Sequence, residues 1–399
     1  MSVPSQDQLG NWWSRRKTWQ KVAIIAGGAF LLLIVLAGIF GDTNDATDDA
    51  ADASTTAATD ETTAAETTST ELAETATTTM ATTTTALPTQ GGTIDDPVSA
   101  GEWFPVGEWQ IAVVGGDTDA TEAVLAENEF NDPPAEGNRF VVWRVAVANH
   151  GAEPTQPAIG LTFSSVGPSA VAYDFEATCG VVPDDFSSFR TLYPGGTIEG
   201  NLCWEVSDGD AESLVMLVDE ALSFTDNRAV FGPAATGEVL EVAYPEPPLP
   251  DPNGPVGSRG NPIPLQETVT MGDWEVRVLG SIDDATEQVL AENDFNDPPR
   301  DGGQFVIAEI EATYVGTDSS IFAVDATVGL VGDAAVGYDV EDSCGVIPNA
   351  LDDFSEVFPG GALSGNICWE VPSSDKEGLV MSLMEAFSFD EDIWFMAIR

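Results

Sequence analysis

Val306-Ile307-Ala308-Glu309-Ile310-Glu311-Ala312 places Val306, Ala308, Ile310 and Ala312 on one side and Ile307, Glu309 and Glu311 on the other. Successive side chains of a β-strand point to opposite faces, so the run predicts a strand with one face against a core. The stretch 165 residues earlier reads the same way, with Val141, Trp143, Val145 and Val147 set against Arg144 and Ala146.

That offset of 165 holds without a gap along most of the chain. Trp109 matches Trp274, Phe130 matches Phe295, Cys179 matches Cys344 and Trp204 matches Trp369. Whole motifs recur: Asp-Ala-Thr-Glu at 119 and 284, Val-Leu-Ala-Glu-Asn at 124 and 289, and Phe-Asn-Asp-Pro-Pro at 130 and 295. Cys-Gly-Val recurs at 179 and 344, Pro-Gly-Gly at 194 and 359, and Cys-Trp-Glu-Val at 203 and 368. A period this long is a duplicated domain rather than a solenoid repeat. Further strands are expected at Trp109–Val114, Leu161–Val166, Ala170–Tyr173, Thr197–Val206, Leu214–Val218 and Ile393–Ile398, separated by Gly, Pro, Asn and Asp. Short strands so punctuated predict an all-β sandwich in each copy. One helix is expected per copy, because Asp119 followed by Glu122, and Asp284 followed by Glu287, have capping-box spacing. It should run to about Asn128 and stop before Pro133, since proline disfavours helical geometry just ahead of itself.

The rest of the chain sets these copies in a membrane context. Val22–Phe40 is a run of nineteen uncharged residues, long enough at about 1.5 Å per residue to cross a bilayer. Arg15, Arg16, Lys17 and Lys21 precede it, and Asp42, Asp45, Asp48 and Asp49 follow. The positive-inside rule then puts residues 1–21 in the cytoplasm and everything beyond Phe40 outside, a single-pass protein of the cell membrane. A cleaved signal peptide is the competing reading, but the apolar core is too long for one and Gly38-Ile39-Phe40 is a poor cleavage site. Residues 41–92, rich in Thr, Ala, Asp and Glu, bury too little surface to offset their ordering entropy and are expected to be a disordered stalk. Six prolines between Tyr244 and Asn261 favour an extended polyproline spacer over 244–261, expected to hold copy 1 (93–243) apart from copy 2 (262–399).

Net charge is -54, and residues 1–40 carry +3, which leaves -57 on the remainder. Such a surface repels phosphate backbones, so nucleic acid is excluded as a partner. The four cysteines fall two per copy, each pair 24 apart and outside by the topology argument. Cys179–Cys203 and Cys344–Cys368 disulfides are the economical pairing. Zinc is the alternative, opposed by a single histidine and the absence of closely spaced ligand pairs. That histidine, His150, sits in an Asn-His-Gly turn, has Val315 at its place in the second copy, and lacks a nucleophile motif. No phosphate loop, zinc-protease helix or nucleotide fingerprint appears, so neither an enzyme nor a cofactor is implied. The candidates for metal are carboxylates of the two acidic blocks, Asp119, Glu122 and Asp132, with Asp284, Glu287 and Asp297. They are oxygen ligands of the kind calcium prefers, but without EF-hand spacing.

With its Pro-Pro-x-x-Gly-x-x-Phe-Val, Cys-Gly, Pro-Gly-Gly and Gly-Asn-x-Cys-Trp-Glu-Val elements, the chain resembles an actinobacterial domain family of unknown function. That family is allied to telokin-like, immunoglobulin-like secreted antigens. The resemblance covers about residues 92–232 and 257–399 and implies two tandem immunoglobulin-like sandwiches on a cell surface, with no catalytic residues to carry over. The expectation is a non-enzymatic display or interaction protein that binds a protein or an envelope component. The alternative is a cation-responsive or sensory ectodomain using the acidic blocks.

Overall fold

The computed structural model describes residues 92–174, 179–221, 227–232, 239–339, 344–386 and 392–399. The expected membrane span 22–40 lies outside them, as does the stalk but for Gly92. Among the described residues no helix is long and apolar enough to cross a membrane.

Copy 1 builds two antiparallel four-stranded sheets. The first contains β1 (Phe104–Val106), β2 (Trp109–Asp117), β3 (Asn138–Asn149) and β6 (Thr197–Ser207), in that order. The second has the order β5 (Ala172–Asp174), β4 (Leu161–Val166), β7 (Val215–Glu220) and β8 (Arg228–Phe231). Copy 2 repeats the plan. One sheet runs β16 (Ala362–Pro372), β11 (Gly303–Tyr314), β10 (Trp274–Ile282), β9 (Val269–Met271). The other runs β14 (Gly337–Tyr338), β13 (Ala326–Val331), β17 (Val380–Glu385), β18 (Ile393–Ala397), and the short β12 (Ser320–Ile321) pairs with β15 (Glu356–Val357). The facing sheets enclose Trp143, Val145, Trp204, Met216 and Phe231 in copy 1, and Ala308, Ile310, Trp369, Met381 and Leu383 in copy 2, all buried. The chain is therefore a β-sandwich protein. The antibody constant order pairs the second strand with the fifth, whereas here β2 lies between β1 and β3.

The predicted strands are present, most of them within three residues of their expected ends; β2 runs on to Asp117 through an irregularity between Val113 and Gly115. One expectation is corrected: β3 buries both faces rather than one. Trp143, Val145 and Val147 enter the sandwich, while Phe140 and Val142 enter a second apolar cluster with Ala120, Val124, Cys179, Val182 and Cys203. The cover on that outer face is helix α1 (Thr121–Glu127) and the loop carrying Cys179; copy 2 has the same cover in a second helix, Thr286–Glu292, and Cys344. The disulfides join Cys179 to Cys203 and Cys344 to Cys368, with Cα separations of 6.1 and 5.8 Å. Each pins the covering loop to the outer face of its own sheet, while the neighbouring Trp204 or Trp369 points into the sandwich.

The capping box is also corrected. Ala120 and Ala285 occupy the caps without a side-chain bond. The threonine hydroxyls are turned to the sheet instead, where Thr121 accepts the Phe140 N–H and Thr286 the Phe305 N–H. A hydroxyl that satisfies a strand's donor ties helix to sheet, a contact that capping-box spacing does not reveal.

The spacer expectation is overturned most fully. Every described residue belongs to one compact unit, and the proline-rich segment is docked at both ends, its start on copy 1 and its end on copy 2, where the Gly257 carbonyl accepts the Phe395 N–H at 2.8 Å. The Trp103 indole N–H donates to the Ala243 carbonyl and its ring packs edge-on to Tyr244, whose hydroxyl bonds Glu199. A polyproline segment makes no internal hydrogen bonds, so its carbonyls remain available to neighbours. At the junction of the copies, Tyr193 sinks into a pocket of Val331, Ala335, Val380 and Phe395. Leu192 pairs with Val336 in an antiparallel bridge flanked by Tyr193 N–H to Ala335 O and Gly337 N–H to Thr191 O, at 2.9 and 2.7 Å.

Candidate interaction surface

Most of the motifs shared by the copies hold the fold. The Asn131 amide donates to the carbonyls of Val124, midway along α1, and of Val181; its oxygen accepts the Val181 N–H. Asn296 does the same for Val289 and Val346. This clamp explains Gly180, which has φ +72° and whose place a Cβ would occupy only 2.2 Å from the Asn131 oxygen. Asn201 and Asn366 donate to Pro183 and Pro348 in the loops beyond the cysteines. Glu205 accepts from Ala135 N–H and Asn138, and Glu370 from Arg300, fastening the loops after the Pro-Pro pairs.

Phe130 and Phe295 have no such task. They stand 84% and 91% exposed, at the same position of the repeat, where burial is the ordinary fate of a phenylalanine. Their loops are built tightly: the Phe130 N–H bonds the Asn128 side chain at 2.9 Å, the Phe295 N–H bonds Asn293 at 3.0 Å, and the next residue is the clamp asparagine. Val181 and Val346, each bonded to that clamp, are also exposed. Each copy therefore presents a phenylalanine and a valine on loops locked together by one asparagine. Glu127, Glu129 and Asp132 surround the first and Glu292, Asp294 and Asp297 the second, all exposed. A repeated, rigid, exposed aromatic is the kind of anchor that carries binding energy at protein interfaces. Sequence reasoning recorded Phe130 and Phe295 only as markers of the repeat; their retention in a Pro-Pro loop was the signal.

The acidic blocks do not converge. Asp119, Glu122, Asp132, Asp284, Glu287 and Asp297 are all exposed, and among the described residues no three His, Cys, Asp or Glu side chains come together as a metal site. Asp119 and Glu122 line a shallow depression that already contains a cation, Arg139, bonded to Asp208 at 2.8 Å. Asp284 accepts the Thr286 N–H, a turn contact. His150 is exposed past the end of β3, and Asn149 closes the expected turn by accepting the Gly151 N–H.

The two copies differ at one buried carboxylate. In copy 1, hydrogen bonds from Ser169, Tyr173 and the Ser169 N–H hold Asp210 below the usual carboxylate range. Its counterpart Asp375 has Ala334 in place of that serine and lies in a cleft of about 390 Å³ between the copies. Burial pushes Asp375 up, against hydrogen bonds from the Ala334 N–H and the Tyr338 hydroxyl. Arg190 braces the junction across this cleft, donating to Gly337 O and stacking on Tyr338, while Arg300 pairs with Glu370 within copy 2.

No family model matches the chain, and no curated protein matches it. Among solved structures, a conserved hypothetical protein from Bacillus anthracis aligns at 15% identity over 32% of this chain and 93% of its own, with a TM-score of 0.24. An uncharacterized beta-sandwich protein from Clostridium difficile 630 aligns at 13% identity over 34% of this chain and 93% of its own, with a TM-score of 0.22.

Proposed function

We propose that the chain is a non-enzymatic display protein, anchored in the cell membrane through Val22–Phe40, whose two sandwiches bind a protein or envelope component outside the cytoplasm. The observation that carries this reading is the pair of clamped, exposed phenylalanines, Phe130 and Phe295. The carboxylates around each tip favour a partner that offers an apolar pocket within a basic surface, since complementary potentials guide encounter and reject wrong partners. Two equal tips on one molecule favour a repetitive partner, because a second contact made within the same complex raises avidity without new chemistry. The sequence resemblance to the immunoglobulin-like actinobacterial antigens fits the same reading. The test is capture from solubilised envelope by the chain and by its Phe130→Ser/Phe295→Ser variant. Retention of a discrete partner by the first alone supports the proposal; equal retention by both, or by neither, contradicts it.

A further inference from the structure

The junction between the copies is heterologous: copy 1 contributes one face of the shared domain and copy 2 a different one. Copy 1 offers Thr191-Leu192-Tyr193 with Gly196, and copy 2 offers Ala335-Val336-Gly337 with the apolar patch that receives Tyr193. Because the two domains are repeats, each copy also owns the face that the other uses. Subtracting the offset places the receiving face of copy 1 at Ala170-Val171-Ala172, and adding it places the inserting face of copy 2 at Glu356-Val357-Phe358.

Among the described residues, nothing covers the outer side of either second face, although Val357, like Leu192, turns its side chain into the core of its own copy. Val171 is 61% exposed where its counterpart Val336 is 6%, and Phe358 is 63% exposed where Tyr193 is 4%. Ala170 and Ala172 are exposed where Ala335 and Gly337 are buried. The backbone shape is kept, for Ala170 and Ala335 share the same left-handed turn with φ 57°. The receiving face of copy 1 is also apolar at its rim, with Ile94, 66% exposed, in the place of Arg259. A heterologous contact that leaves both complementary faces open propagates from molecule to molecule, closing only if the rotation allows a ring.

We propose that the chain associates head to tail with further copies of itself, Glu356–Phe358 of one molecule docking on Ala170–Ala172 of the next in the geometry of the internal junction. The inference rests on the junction alone and holds whatever the exposed phenylalanine tips bind. Three differences make the contact between molecules weaker than the one within the chain. Arg190, which bonds Gly337 O, becomes Ser355, and Thr191 becomes Glu356, which brings a carboxylate to the contact. Ala172 replaces Gly337, and a Cβ at that place would lie 3.1 Å from Thr191, so the strand must ease by a few tenths of an ångström. The linker gives the internal contact an effective concentration on the order of millimolar, and association between molecules belongs in that range. Each molecule carries a net charge of -54, so salt should promote rather than dissolve the assembly.

All four cysteines are engaged in the two disulfides, so an introduced cysteine is a lone thiol. Val171 and Val357 correspond to the bridged pair Val336 and Leu192. Flanking bonds make that a non-hydrogen-bonded pair, whose Cα spacing of about 4.5 Å suits a disulfide. Full chains bearing Val171→Cys and Val357→Cys are mixed in mild detergent and oxidised. The mixture should yield a covalent dimer several-fold above either variant alone, rising with salt to about 1 M. A chain with both substitutions should give a ladder, and Phe358→Glu should abolish it. A mixture no richer in dimer than its components, or a ladder indifferent to Phe358→Glu, overturns the proposal. Should Val357→Cys lower the melting temperature, sedimentation of the unsubstituted chain against Val171→Glu decides the matter. Concentration-dependent growth lost in the variant supports association, and identical profiles refute it.

Discussion

Replacing Tyr193 by alanine should loosen the junction between the copies while leaving each sandwich intact. The repeat supplies its own reference for the magnitude, because Phe358 shows how exposed this position is when nothing covers it. The exposure falls from 63% at Phe358 to 4% at Tyr193, so docking removes about three-fifths of a large aromatic side chain from water. For roughly 200 Å² of aromatic surface that is about 120 Å², or about 3 kcal/mol at about 25 cal/mol per Å². The flanking backbone bonds of Leu192 remain, so the copies should separate part of the time rather than unfold. Small-angle scattering should show a larger radius of gyration and a broadened distance distribution. Calorimetry should resolve two transitions, since interfaces between domains couple their melting only while they hold. A scattering curve and a melting profile that superimpose on those of the unsubstituted chain would show that Tyr193 does not hold the copies together.

Removing one disulfide, as in Cys344→Ser/Cys368→Ser, should cost about 3 kcal/mol in the chain-entropy model and be read as a lower denaturant midpoint, with copy 2 melting first. Asn131→Ala should cost about 1 kcal/mol, because the Val181 groups it frees can bond water and only the Val124 carbonyl is half-buried, and hydrogen exchange should rise at 128–132 and 180–182 rather than in β3. The paired carboxylates should respond oppositely to pH. Asp375 is held above its unfolded value of about 3.9, so its favourable share is full below that value and lost as pH rises through the folded one. Asp210 is held below it, so its share is full above about 3.9 and lost as pH falls through the folded value. Relative to the unsubstituted chain, Asp375→Asn should therefore gain stability as pH rises above about 3.9, and Asp210→Asn should lose it as pH rises toward about 3.9 from below. Urea melts at several pH values check both signs.

Much of the fold was legible because strand alternation and the gapless repeat are local signals. Val306–Ala312 announced β11, and the equal cysteine spacings pointed to the two bridges. What the sequence could not disclose depends on what lies across from a residue. The outer face of β3 reads as mixed because Phe140 and Val142 are covered by a helix and a loop that only the closed chain delivers. The prolines after Tyr244 specify an extended backbone, but whether it stands free or lies on a sheet turns on Trp103, some 140 residues away. Tyr193 and Phe358 occupy the same place in the repeat and differ in sequence only by a hydroxyl, yet one is buried and the other open. The acidic blocks misled for the converse reason: carboxylates close in sequence around a short helix and a turn point outward, not toward a common centre.

If Phe130 and Phe295 are equivalent contact points for one partner, photo-cross-linking on intact cells will show it, with the reactive side chain placed at 130, at 295, or at the exposed control position Glu377. The same adduct is expected from 130 and 295 and none from 377. No adduct from either loop, different partners at the two, or the same adduct from all three positions would contradict it.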